Sequence, residues 1–202
     1  MQILELIQSR LPESVRKTEL ETTKGLLYWP NDNLRRGPKY LIRLHFPLKA
    51  ESINWDIVSP FFNGGCEEIC RNFFAQCNGF SFFRNFSAFG INIDGSYDRQ
   101  GFSHLNVPYD LVGQSYGSYP QFAPNAGYFI SSINLGEDDR EICDIITPEG
   151  NIIYGEFRKN TEVLGAFDSF ESWIGTRVPQ ALADMAEDLE RPVPTYTKPA
   201  GT

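Results

Sequence analysis

The chain is short of the residues that most enzymes and metal proteins work with. Among 202 residues there are two histidines, His45 and His104, and four cysteines, Cys66, Cys70, Cys77 and Cys143. A serine or cysteine nucleophile needs an activating base at hydrogen-bond reach. His45 falls inside the apolar run "LIRLHF", where a packed imidazole is expected, and His104 falls in the irregular "GFSHLN". No H-E-x-x-H, phosphate-loop or G-x-G-x-x-G pattern occurs. Structural zinc sites use tight cysteine pairs on loops, and a second such pair is missing here. The stretch "NIDGSYD", with Asp94 and Asp98, lacks the remaining ligand positions of a calcium loop. No cofactor or metal is therefore expected.

Other scarcities bound the setting. No apolar run approaches the roughly eighteen residues of a membrane span. The opening "MQILELIQSR" is interrupted by Glu5 and Gln8, unlike a secretory signal. Disulfide scaffolds are shorter and denser in cysteine. Four free thiols in a reducing, cytoplasmic setting are the expectation.

What is abundant is acid and aromatic carbon. The formal net charge is -8 and the isoelectric point about 4.8. Such a surface repels nucleic-acid backbones and anionic lipid, and suits basic proteins. The densest acidic stretch is "GEDDREICD", residues 136–144. Glu137, Asp138, Asp139 and Glu141, together with Asp94 and Asp98, are the candidate partner-binding residues. Five phenylalanines crowd "QCNGFSFFRNFSAFG", residues 76–90, around Asn78 and Gly79. They could form a core, a pocket or a docking face.

Periodicity orders the elements. Ile3, Leu4, Leu6, Ile7 and Leu11 have helical spacing. Residues 25–46 contain two apolar runs split by Pro, Asn, Asp and Gly, a hairpin-like pair. A short helix is expected after Pro47, ending near Pro60. A second runs from Gly64-Gly65 to Asn78-Gly79, where two residues tolerant of left-handed backbone close the last turn. β-like runs follow: "FSFF", "FGINI", "GYFISSINL", "EICDIIT" and "NIIYGEF". The last two flank Pro148-Glu149-Gly150, a turn in which Pro148 fixes φ and Gly150 takes φ > 0. Asp168 and Glu171 have capping-box spacing, ahead of a helix stripe with Phe170, Trp173 and Ile174 that Pro179 should break or kink. The Pro-rich 191–202 lacks periodicity. The order predicts an α+β domain with a mostly antiparallel sheet.

Three blocks in this order resemble the SUKH superfamily. They are "FPLKAESI" leading to a helix that ends "FFAQCNGFSFF", the central strands "YFISSINLGEDDREICDIITPEGNIIYGEF", and "LGAFDSFESWI". The resemblance covers about residues 40–176, with "NGGCEE" in place of the Leu-Pro that usually opens the second helix. It implies a core over 40–190, and outside the match lie a helix-and-hairpin extension over 1–39 and a flexible Pro-rich tail over 191–202. It also implies that Asn78 and Gly79 turn the chain while Phe80, Phe82, Phe83 and Trp173 pack inside. Functionally it implies a non-catalytic binding module, many family members being similar to bacterial immunity proteins that neutralise toxins, often nucleases. A regulatory scaffold of the same fold is the alternative. An enzyme with a diffuse site around Asp94, Tyr97, Asp98 and His104 is the third reading.

Overall fold

The opening apolar spacing forms helix α1 (Ile3–Arg10), which buries Ile3, Leu4 and Ile7. In this computed structural model the described residues are 3–16, 19–22, 24–28, 42–53, 65–83, 86–91, 128–134, 141–156 and 162–190. Among them, a one-turn helix α2 (Glu13–Arg16) precedes β1 (Leu20–Glu21), β2 (Gly25–Tyr28) and β3 (Ile42–His45). A 3-10 turn spans Ala50–Ser52, and the rest of the helix expected to end near Pro60 lies outside the described residues. Helix α3 (Gly65–Gln76) is followed by β4 (Phe80–Phe82), β5 (Phe86–Ala88), β6 (Tyr128–Asn134), β7 (Glu141–Ile146), β8 (Ile152–Glu156) and β9 (Glu162–Phe167). Helix α4 (Phe170–Glu190) comes last.

The architecture is α+β. All nine strands among the described residues form one antiparallel sheet whose spatial order is the chain order, β1 to β9. Residues opposite one another in an antiparallel ladder share a face, so the register sorts the side chains. One face carries Tyr28, Ile42, Leu44, Phe80, Phe82, Phe86 and Ile133, all buried. Helices α3 and α4 belong to the same core, with Phe73 of α3 edge-on to Trp173 of α4 at 6.0 Å between ring centroids. The crowded phenylalanines are answered here. Phe80, Phe82, Phe83, Phe86 and Phe89 are all buried, and Phe80 stacks on Phe86 at 5.6 Å. Each such ring contributes about 1.5–3 kcal/mol by leaving water.

The hairpin flanking residues 148–150 forms with Ile146 opposite Ile152, and Gly150 takes φ 89°. Four expectations need correction. The strand expected at "FGINI" lies earlier, at Phe86–Ala88, because Phe86 and Ala88 pair with Phe82 and Phe80. The residues from Glu162 to Phe167 form a strand that the apolar pattern does not announce. Pro179 does not end the last helix, which runs on to Glu190. The stripe Trp173, Ile174, Arg177, Val178, Ala181, Leu182 and Met185 is buried on both sides of the proline, and that packing offsets the missing N–H. Nor does Asp168 cap this helix. Ser169 does, its Oγ accepting from the Ser172 N–H at 3.0 Å, as a helix beginning at Phe170 requires.

Candidate functional site

Asn78 and Gly79 act as the aromatic cluster's pivot. The buried Asn78 amide donates to the Ile91 carbonyl at 2.9 Å and accepts from the Ile91 N–H at 2.7 Å. Gly79 has φ 87°, and a Cβ there would meet the Ala88 carbonyl oxygen at 2.7 Å. A Cβ on Gly90 would meet the Asn78 carbonyl oxygen at 2.1 Å. Two backbones thus cross in contact, and glycine is the residue that lets them. This is structural work.

The polar heart of the core lies under α4. Asp144 on β7 is 0% exposed. Its Oδ2 accepts from Ser131 Oγ at 2.5 Å, Trp173 Nε1 at 2.8 Å and Arg177 Nε at 2.9 Å. Its Oδ1 accepts from Arg177 Nη2 at 2.6 Å. Arg177 also donates to Gln180 Oε1 at 3.0 Å, and its guanidinium carbon sits 5.0 Å from the Phe167 ring and 5.1 Å from the Tyr154 ring. A buried charge needs this degree of compensation. With its carboxylate engaged from four directions and sealed by rings, Asp144 fastens helix to sheet and presents no atom to a substrate. Two signals in the sequence mark this site. Asp144 interrupts the apolar alternation of Ile142 and Ile146, and Arg177 falls on the apolar stripe of the last helix.

The thiols are equally closed. All four cysteines are free and buried. Burial pushes the Cys77 thiol up, and burial with a hydrogen bond donated to Cys66 does the same to Cys70. Thiols held protonated are weak nucleophiles. Among the described residues no three His, Cys, Asp or Glu side chains converge as a metal site would require.

Of the candidate partner-binding residues, Glu141 is described and opens β7. Glu137, Asp138, Asp139, Asp94 and Asp98 lie outside the described residues, as do Tyr97 and His104. The structure adds two carboxylates to the acidic end of the sheet. Glu156 of β8 and Glu162 of β9 are direct cross-strand partners. Next to them, on the outermost strand, Val163 is 53% exposed and Leu164 46%. The β8–β9 register shifts at this point, where Tyr154 pairs with Gly165 and Gly155 with Val163. Leu164 is the extra residue of that bulge, which turns the strand's edge.

No family model, no curated protein and no solved structure matches the chain. One further sequence feature bears on chemistry. Gly113-Gln114-Ser115-Tyr116-Gly117 fits the G-x-S-x-G pattern of a hydrolase nucleophile, whose meaning depends on a strand–turn–helix setting. It lies outside the described residues.

Proposed function

We propose that this chain is a non-catalytic binding module for a basic protein, and that the partner is a toxin domain, a nuclease first among the candidates. The observation that carries the reading is the direct apposition of Glu156 and Glu162. Two carboxylates placed opposite one another make this end of the sheet anionic, which a cationic partner complements. Glu141 starts β7 at the same end of the sheet, and the exposed Val163 and Leu164 offer apolar contact beside the charges. The SUKH-like order of blocks supports an immunity role, and a net charge of -8 suits rapid encounter with a basic nuclease.

The test is association kinetics with a purified basic nuclease domain, preferably one encoded beside this chain. Glu156→Lys with Glu162→Lys should slow association and flatten its dependence on salt, because steering acts through unscreened charge. An association rate unchanged by the double reversal would move the interface off this end of the sheet. Sustained hydrolysis of an ester, peptide or nucleotide, lost in Ser115→Ala or His104→Ala, would overturn the non-catalytic reading.

A further inference from the structure

The sheet face opposite Asp144 carries an unusual row. Arg43 of β3 pairs with Ser81 of β4, Ser81 with Ser87 of β5, Ser87 with Ser132 of β6, and Ser132 with Cys143 of β7. Three hydroxyls and a guanidinium therefore line up across the middle of the sheet, on one face. His45 lies two residues from Arg43 on the same strand and so on the same face. Strand interiors ordinarily pair such positions with apolar side chains when they are buried, yet Ser81 is 1% exposed, His45 3% and Ser87 8%.

Among the described residues, two of these buried groups lack a hydrogen-bond partner. They are Ser81 Oγ and His45 Nδ1. An unsatisfied buried polar atom costs more than the hydrogen bond it could form, and native structures keep few of them. The local field also has a sign. His45 is pushed down to about 3 from 6.5, first by burial, then by the positive charges of Arg43 and Lys24. A guanidinium beside buried hydroxyl and imidazole groups that lack partners among the described residues favours an anion whose oxygens accept several hydrogen bonds at once.

From this juxtaposition we infer that Arg43 and its cross-strand neighbour Ser81, with His45 beside them, bind a small oxyanion, a phosphate or carboxylate group. The Ser81 hydroxyl donates to the anion, Arg43 supplies the charge, and the neutral His45 ring offers an N–H. This inference is independent of the binding role assigned to the acidic end of the sheet.

The experiment titrates the full chain with inorganic phosphate, and separately with acetate, at constant ionic strength set by chloride. Phosphorus NMR and the His45 imidazole resonances report binding. A saturable site that shifts those resonances and raises the melting temperature over chloride is expected. Binding of phosphate but not acetate assigns a tetrahedral anion, and the reverse order assigns a carboxylate. Arg43→Gln should weaken binding about tenfold, the size of a lost charge-assisted hydrogen bond. Ser81→Ala should weaken it roughly threefold or more. Because Ser81 Oγ has no partner among the described residues, Ser81→Ala should leave the anion-free chain as stable as before, which separates lost binding from lost folding. The proposal is overturned if neither anion shifts the His45 resonances, or if both variants bind as the parent does. It is overturned equally if Ser81→Ala melts early in chloride alone, which would assign an ordered water to the hydroxyl.

Discussion

Four hydrogen bonds from three side chains end on the Asp144 carboxylate. Removing the carboxylate leaves a guanidinium buried among rings, so Asp144→Ala should cost about 3–5 kcal/mol, measured by urea unfolding. A loss below about 1 kcal/mol would mean that the pair sits in a wetter site than its burial implies. His45 makes a pH-dependent prediction. Its imidazole is neutral in the fold down to about 3, whereas the unfolded chain takes up that proton near 6.5. Between those values the unfolded chain holds more protons, so stability is full above 6.5 and falls as pH drops toward about 3. His45→Leu should remove part of that slope, read as the difference between the two stability profiles. Equal slopes would show that His45 is protonated in the fold. At this scale the sequence is half readable. An Asp in an apolar strand announces a buried partner, but nothing in 33 residues of separation says that the partner is Arg177.

Helices and hairpins were readable wherever period and punctuation agree. α1, α3 and the β7–β8 hairpin all follow from spacing bounded by Gly, Asn or Pro. The hairpin turn separates two roles. Gly150 takes φ 89°, where a β-branched side chain is strained, so Gly150→Val should cost about 1–2 kcal/mol. Pro148→Ala should cost less than about 1 kcal/mol, through unfolded-chain entropy. Thermal melts of the two variants check the order, and a larger loss at Pro148 would contradict it. β9 was unreadable for a physical reason. Its residues are exposed or half-buried in no alternating pattern, and pairing with β8 makes it a strand. The same holds for Pro179, whose effect is decided by the packed stripe around it.

Across the whole molecule, the α+β class and the antiparallel sheet were legible because turns, not long helices, join most of the runs. The candidate surface was legible only as charge density near residues 136–144. The meeting of Glu156 and Glu162 depends on the register of β8 with β9, and a register is set by the entire ladder. This apposition predicts a gain. Glu162→Lys places an opposite charge across from Glu156 and should stabilise the chain by about 0.2–1 kcal/mol, measured by chemical denaturation in low salt. A loss of stability would show that Glu162 already serves the fold.

Strand order that follows chain order has a consequence for synthesis. Each strand emerging from the ribosome finds its neighbour already made, so the ladder can be laid down one rung at a time. The last helix breaks that progress. Ser131 and Asp144 are translated well before Trp173 and Arg177, and until those two arrive the carboxylate has nothing to neutralise it. A nascent chain stopped at Phe167 carries the whole sheet and an open, wet core. The final helix is therefore the step that converts a stack of hairpins into a protein, and the interval before it is when a chaperone or protease would find this chain.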